Sequence, residues 1–163
     1  MKQPDFTELF FETFWKCDAG VDFRVRGVPM MQHDIVFLSS LLHDATFSLA
    51  SVQRRGKRVD ISLTRDRWEQ FRKNGGSLDS IASRLSLAEV YELEVSTREC
   101  RASSACGLMV EIIECRLGDG EDDERCFIDI HCRCSCGGRT ALRFCMELYP
   151  TTIRLRDEKT EPR

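Results

Sequence analysis

The sequence lacks the features expected of a nucleic-acid-binding or membrane protein. Its 24 basic residues are scattered among 27 acidic residues, and its formal net charge is −3. A nucleic-acid-binding protein is expected to show a basic stripe or a clear basic excess. No apolar run approaches the roughly 18 residues that are needed to span a bilayer. We therefore expect neither a nucleic-acid partner nor a membrane span.

Residues 1–15 also lack the pattern of a signal peptide. Acidic residues interrupt the apolar stretch of MKQPDFTELFFETFW, and no small-residue cleavage site accompanies it. A cytoplasmic location is the resulting expectation.

The chain is long enough to form one domain with its own core. At 163 residues, a folded chain buries roughly 70% of the surface that it exposes when unfolded, so it needs neither disulfides nor a metal to hold a core. No internal repeat or low-complexity linker divides it. We predict a single domain over residues 1–155 and a charged flexible tail over residues 156–163, with fraying from Arg154 onward.

Cysteine is the residue type that most needs an explanation. There are nine cysteines, which is many for a cytoplasmic chain, and the number is odd. In a reducing compartment a disulfide framework is not the natural interpretation. Buried free thiols, a metal site and a redox-active pair remain as explanations.

Two segments show helical periodicity. Phenylalanines recur every four residues from Phe6 to Phe14, which predicts an N-terminal helix. The apolar stripe from Ile35 to Leu42 predicts a second, short helix over about 32–42. Asp34 is the expected N-cap of this second helix.

Alternating apolar and polar residues on both sides of a basic turn predict a hairpin in the next segment. A three-residue loop that ends in Gly56 keeps the apolar faces together and places glycine where positive φ is required. This register sets Leu49 opposite Ile61 and Phe47 opposite Leu63.

Two further strands are predicted in the middle of the chain. The first is one long strand from Leu85 to Cys100, and the second runs from Leu108 to Leu117. In the second strand the adjacent Ile112 and Ile113 interrupt the period of two, which indicates a bulge or burial on both sides.

A last hairpin is predicted to join Cys126–Ser135 to Arg139–Tyr149. Matching the apolar faces favours a three-residue loop over 136–138, which sets Cys132 opposite Leu142. In the same register Ile130 faces Phe144, and both Cys132 and Cys134 turn toward the apolar core.

The turn of this hairpin carries the densest set of metal-ligand side chains: His131, Cys132, Cys134 and Cys136. Zinc prefers thiolate and imidazole ligands. However, residues i and i+2 of a strand have Cα atoms about 6.6 Å apart, so both sulfurs would have to lean inward to share one ion. Because free cysteine also packs as a small hydrophobic residue, core packing is the favoured interpretation. Zinc binding or redox chemistry is the alternative, with Cys136 and Cys145 as the expected reactive thiols.

Acid–base groups recur in three places, and each has a structural interpretation. The polar face of Cys126–Ser135 carries Asp129, His131, Arg133 and Ser135, and the pairs His33-Asp34 and His43-Asp44 flank the second helix. A stripe or pair of this kind can form an acid–base site. A half-solvated strand, a helix cap and a turn explain the same residues. We therefore predict no catalytic residues and expect that the protein is not an enzyme.

The segment Leu41-Leu42-His43-Asp44-Ala45-x-Phe47, with the hairpin that follows it through Leu63, resembles small β-rich bacterial families. Some members of these families are thought to be immunity proteins of interbacterial toxin systems. The resemblance implies a non-catalytic β fold and identifies no site.

These observations predict an α+β fold with a mainly antiparallel sheet of about six strands built from hairpins, on which the two helices pack. The favoured function is a non-catalytic protein-interaction module of a bacterial cytosolic protein. Aromatic residues off the first helix stripe, Phe11 and Trp15, would help it to bind a protein partner or a second copy of the chain. The first alternative is a zinc-binding or thiol-redox domain that uses the Cys-x-Cys-x-Cys hairpin, and zinc is the only cofactor indicated. The second alternative is an enzyme that uses the His-Asp groups.

Overall fold

The computed structural model describes residues 20–25, 31–68, 75–100, 106–118, 125–147 and 153–158. The predicted N-terminal helix, with Phe11 and Trp15, lies outside these residues. The described elements, in chain order, are β1 (Asp22–Arg24), α1 (Met31–Leu42), β2 (Thr46–Ser48), β3 (Val52–Arg55), β4 (Arg58–Asp66), β5 (Ser80–Leu87), β6 (Val90–Arg98), β7 (Gly107–Leu117), β8 (Arg125–Cys134), β9 (Arg139–Glu147) and β10 (Ile153–Asp157).

The strands form one antiparallel sheet with the order β1-β10-β5-β4-β2-β7-β8-β9-β6, and β3 pairs with β4 beside this path. The prediction of a mostly antiparallel sheet accompanied by a helix is confirmed, but the predicted number of strands is wrong: the described residues form ten, not about six. Two predicted strands are each divided in two, and β1 and β10 were not predicted.

The first division separates β2 from β3. A 3-10 turn over Leu49–Ser51 interrupts the strand, so Thr46 pairs with Thr64 but Val52 takes the place opposite Ile61 that was predicted for Leu49. Arg55 pairs with Arg58, which leaves a two-residue loop that begins with glycine, as type II′ hairpin turns do. The predicted three-residue loop is therefore wrong. The prediction treated residues 45–52 as one continuous strand, whereas Leu49–Ser51 form a 3-10 turn and do not pair with β4.

The second division separates β5 from β6 at Ala88-Glu89. Glu89 has a φ of 56°, and the chain turns there. Strand β5, before the turn, pairs with β4 and β10, whereas β6, after it, pairs with β9. The prediction of one long strand is wrong, since a non-glycine residue in the left-handed region has no sequence signal of its own.

The irregularity predicted in the 108–117 strand is present. The register between β7 and β8 shifts between Val110 and Ile112, which buries Ile113 and leaves Ile112 45% exposed. The backbone N–H of Ile113 donates to Ser39 Oγ at 2.9 Å, so helix α1 satisfies a donor next to the bulge.

The β8–β9 hairpin has the predicted loop length and face pairing but a different register. Its loop is 135–137: the N–H of Cys134 donates to the carbonyl of Gly138 at 2.8 Å, and Gly137 takes a φ of 93°. Ile130 therefore pairs with Leu142, and Cys132 pairs with Thr140 rather than Leu142. The loop begins one residue earlier than predicted because Gly137, not Gly138, adopts the left-handed conformation.

Strand β10 corrects the prediction that the chain frays from Arg154 onward. Ile153 and Leu155 are buried, while Arg154 and Arg156 alternate with them on the outer face. Residues 154–157 therefore belong to a strand that lies between β1 and β5, with Arg154 and Arg156 on its outer face.

Buried side chains of α1 and of the inner strand faces form one core. The predicted second helix is confirmed, although Asp34 lies inside its first turn rather than at its N-cap. The buried side of β4 and β10 also contains an ion pair, Arg65 with Asp157, at 0% and 1% exposure. Within the described ranges no helix is long and apolar enough to cross a membrane.

Candidate metal centre

Four cysteines from three parts of the chain meet at one end of the sheet. Cys134 ends β8 and Cys136 lies in the turn to β9, while Cys100 follows β6 and Cys106 directly precedes β7. Because β7 pairs with β8, and β9 pairs with both β8 and β6, the end of β6, the start of β7 and the β8–β9 turn lie together. We call these four residues the four-cysteine cluster.

The four sulfurs lie close enough together to form a tetrahedral thiolate site after small shifts. The Sγ of Cys136 lies 3.0 Å from that of Cys134 and 3.3 Å from that of Cys100, and the Sγ atoms of Cys100 and Cys134 are 3.2 Å apart. All four sulfurs lie within 4.8 Å of one another. Zinc–sulfur bonds of about 2.3 Å place the sulfurs of a tetrahedral site about 3.8 Å apart. Shifts of less than about 1 Å would therefore bring all four into zinc coordination.

The surroundings of Cys134 raise the pKa of its thiol. A hydrogen bond from the Cys136 backbone lowers the pKa of Cys134, but the Cys136 and Cys100 sulfurs, burial and the Cys106 sulfur together raise it to about 12. Cys134 is buried, Cys100 and Cys106 are half-buried, and Cys136 is exposed. Four acidic groups crowded at the protein surface form a site in which a cation would offset the charge of the thiolates.

The structure brings two of the four sequence-predicted ligands into the four-cysteine cluster, namely Cys134 and Cys136. Cys132 points into the core, where burial raises its thiol pKa to about 12. His131 lies on the opposite face, with its Nε2 3.1 Å from Glu114 Oε2. Residues i and i+2 of a strand are too far apart to share an ion readily, and this holds for Cys132 and Cys134. It does not apply to Cys136, because the turn brings its sulfur within 3.0 Å of the Cys134 sulfur.

Sequence reasoning missed Cys100 and Cys106. A signal was present, because these two cysteines frame the segment between two predicted strands. Placing Cys100 and Cys106 beside the β8–β9 turn requires the pairing of β6 with β9 and of β7 with β8, which the local pattern does not encode.

Gly138 lets the Cys100 segment approach the hairpin. A Cβ at this position would lie 2.6 Å from the Cys100 backbone nitrogen and from the Glu99 carbonyl carbon and oxygen. Real Cβ atoms do not approach backbone this closely, so the two segments would have to separate.

We expect Gly138→Ala to lower the free energy of unfolding by about 1–3 kcal/mol through this overlap and to weaken metal binding by displacing Cys100. Urea unfolding and metal analysis of the purified variant measure both effects. Gly107→Ala is the matched control, because its Cβ would meet Ser135 at an ordinary 3.8 Å. A Gly138→Ala protein as stable and as metal-competent as Gly107→Ala would contradict the expectation.

The polar face of β8 is occupied by cross-strand pairs. Asp129 accepts two hydrogen bonds from Arg143 at 2.8 and 2.9 Å, and Arg133 donates to Glu111 at 3.0 Å. These two ion pairs and the His131–Glu114 contact lie on a solvent-facing surface, which is the structural interpretation of the stripe.

The His43-Asp44 pair shapes the turn after α1, as predicted. Asp44 adopts a φ of 64°, its Oδ2 lies 3.3 Å from His43 Nδ1, and the His43 carbonyl accepts a hydrogen bond from Trp68 Nε1 at 3.0 Å. His33 is exposed on α1. The structure therefore does not gather the three histidines into one site.

A second group of thiols lies along β7, β8 and β9. A hydrogen bond with Cys126 lowers the pKa of Cys115, and the same bond, with burial, raises the pKa of Cys126. Cys145, expected from the sequence to be reactive, is buried, whereas Cys136 is exposed. The half-buried Cys115 is a candidate reactive thiol that sequence reasoning did not identify.

Comparison of the chain with protein-family models, curated proteins and solved structures finds no match. The resemblance of Leu41–Leu63 to toxin-immunity families therefore stays a prediction, and the interpretation of the four-cysteine cluster depends on its geometry.

Proposed function

We propose that this protein is a non-catalytic zinc-binding domain in which Cys100, Cys106, Cys134 and Cys136 hold one structural zinc ion. The observation that carries the proposal is the convergence of four sulfurs within 4.8 Å from segments that are distant in sequence. Four protein ligands complete a tetrahedral zinc shell and leave no position for water or substrate, which is typical of structural rather than catalytic sites.

The donor set supports the choice of metal. Four thiolates in tetrahedral geometry select zinc or iron, whereas calcium and magnesium prefer oxygen ligands. Zinc adds no redox chemistry of its own. The ion would tie the segment after β6, and the start of β7, to the β8–β9 turn.

This role fits the position of β6 in the fold. Among the described strands, β6 ends the sheet and pairs only with β9. An ion bound through Cys100 would fasten the end of this strand, which has a neighbouring strand on one side only. The predicted interaction with a protein partner or a second copy is compatible with such a rigid sheet end, and it stays a prediction.

The test is metal analysis of the full-length chain purified without chelators. We expect about one equivalent of zinc per chain, and tetrahedral thiolate absorption when Co²⁺ replaces zinc. Cys134→Ser is expected to abolish both signals. Cys132→Ala is the matched control, since Cys132 lies two residues away on the same strand, is also buried and is outside the four-cysteine cluster.

Three results would overturn the proposal. One is a wild-type chain that stays metal-free after zinc is supplied under reducing conditions. Another is zinc loss that is equal in Cys134→Ser and Cys132→Ala. A third is iron as the metal bound in preference to zinc, which would leave the cluster intact but make the zinc assignment wrong.

A further inference from the structure

A cleft of about 450 Å³ lies on strands that carry none of the cysteines of the four-cysteine cluster. Its lining includes four arginines, Arg58, Arg84, Arg154 and Arg156, together with Ser86. Two acidic residues at the end of β10, Asp157 and Glu158, complete its charged lining. Such a density of guanidinium groups is unusual in a chain whose net charge is −3.

The strand register places these arginines on one outer face. Arg156 pairs directly with Arg84, and Arg154 pairs with Ser86, across the β10–β5 ladder. Directly opposed residues of an antiparallel pair have Cβ atoms about 4.5–5.5 Å apart, and like charges at such positions are destabilising. The Arg84–Arg156 pair is therefore a site of electrostatic repulsion.

The other two arginines are held by neighbouring carboxylates. Arg154 donates to both oxygens of Asp22 at 2.8 and 2.6 Å, and Arg58 donates to Asp60 at 3.1 Å. The structure gives Arg84 and Arg156, by contrast, no side-chain hydrogen bond or ion pair within its described ranges, and both residues are exposed. Their donors are available to a ligand.

The acidic lining does not neutralise these two arginines. The carboxylate of Asp157 is turned inward, where it accepts from Arg65 at 2.8 and 2.6 Å and from Ser83 at 2.7 Å. Glu158 is then the remaining exposed carboxylate of the lining. Two carboxylates beside the lining also attract these arginines: Asp22 is directly opposed to Arg156, and Asp60 acts on Arg84. Both already accept hydrogen bonds from Arg154 and Arg58, so the guanidinium donors of Arg84 and Arg156 stay available although the excess positive charge of the face is small.

We propose that this cleft binds a small phosphate-bearing molecule, with the phosphate held between the guanidinium groups of Arg84 and Arg156. Arginine presents a planar fork of donors that matches phosphate oxygens. A phosphate has enough oxygens to serve two opposed forks at once, whereas one carboxylate fills a single fork. The volume of the cleft lies within the roughly 300–1,000 Å³ typical of small-molecule sites.

The test is titration of the zinc-loaded 163-residue chain with pyrophosphate. Binding is measured by calorimetry and by the NMR chemical shifts of the arginine side chains. We expect saturable binding, and we expect Arg84→Ala and Arg156→Ala each to weaken it about tenfold or more, the effect of losing charge-assisted hydrogen bonds. The double variant is expected to show no saturable binding.

The matched control is Arg98→Ala/Arg139→Ala. These residues are also directly opposed arginines, on β6 and β9, and they are not part of the cleft lining. The control removes the same charge, so it separates a specific site from general attraction between a basic surface and an anion. We expect it to leave pyrophosphate affinity unchanged within about twofold.

Four outcomes would overturn the proposal. Binding that is absent in the wild type, or unchanged in Arg84→Ala/Arg156→Ala, removes the site. An equal loss of pyrophosphate affinity in Arg98→Ala/Arg139→Ala would show that the binding is nonspecific electrostatic attraction. Tighter binding of an acidic, phosphate-free peptide than of pyrophosphate would show that the ligand class is wrong. Zinc content is measured in every variant, so these outcomes are independent of the four-cysteine cluster.

Discussion

Removal of the proposed zinc ion is expected to lower the free energy of unfolding of the wild-type protein by about 4 kcal/mol. The ion would cross-link Cys100 to Cys136, which are 36 residues apart, and closing a loop of that length is worth about 4 kcal/mol by the chain-entropy model of covalent cross-links. Structural zinc sites contribute to folding in the same way, because the unfolded chain has no preformed site.

The measurement is urea unfolding of the metal-loaded protein and of protein treated with a chelator, with metal content checked in both samples. Hydrogen exchange should locate the change at the end of β6, at the start of β7 and in the β8–β9 turn. Amides of the β4–β5 ladder should keep their protection, since they lie on other strands. Equal stability of the two samples, despite complete removal of zinc, would contradict the expectation.

Asp157→Asn is expected to cost about 3–5 kcal/mol, the usual effect of leaving one member of a buried ion pair uncompensated. Arg65 and Asp157 have side-chain exposures of 0% and 1%. The Asp157 carboxylate accepts hydrogen bonds from the Arg65 guanidinium, the Ser83 hydroxyl and the Val21 backbone N–H, all between 2.6 and 2.8 Å. Asparagine has nearly the same shape, but it removes the negative charge that the buried Arg65 guanidinium binds through two hydrogen bonds.

The matched control is Asp129→Asn. Asp129 also binds an arginine through two hydrogen bonds, but its partner Arg143 is 42% exposed. Solvent-exposed ion pairs typically contribute about 1 kcal/mol or less. Equal losses in the two variants, measured by urea unfolding near neutral pH, would show that burial does not set the strength of the β4–β10 ion pair.

The same carboxylate should make stability depend on pH. Burial raises the pKa of Asp157, but the hydrogen bonds from Arg65, Val21 and Ser83 together hold it below the ordinary 3.8. A carboxyl group with a lowered folded-state pKa stabilises the fold fully above the unfolded-state value. Its contribution is lost as the pH falls from about 3.8 through the lower folded-state pKa. The Asp157→Asn variant should lack this part of the acid destabilisation, which parallel urea titrations can measure.

Local pattern predicted much of the fold. The period of two in 126–135 and 139–149 placed Ile130 and Cys132 on the inner face, and the structure confirms it. The helix before the first predicted strand was also predictable, because its apolar residues follow a helical period. The irregularity at Ile112 was predictable because it interrupts the period of two of a strand. The hairpin loops were less predictable. The 3-10 turn over Leu49–Ser51 changed the length of the first loop, and the adjacent glycines of the second allowed it to begin one residue earlier.

The candidate sites were predictable only in part. Cys134 and Cys136 are close in sequence and were identified together, whereas Cys100 and Cys106 join them only because β6 pairs with β9 and β7 pairs with β8. The opposed arginines of β5 and β10 likewise depend on a pairing between strands that are far apart in the chain.

The sequence by itself determined which face of each predicted strand is apolar, where the helix after residue 30 lies, and that thiols cluster near the last hairpin. These properties follow from the spacing of residues along the chain, because the regular geometry of a strand or helix places residues of a given spacing on the same face. The tertiary structure alone decided which strand ends meet, and therefore which four sulfurs converge, and that Arg65 on β4 binds Asp157 on β10. The reason is that strand order and register are set by the packing of the whole core and by single residues such as Glu89, whose left-handed conformation has no local signal.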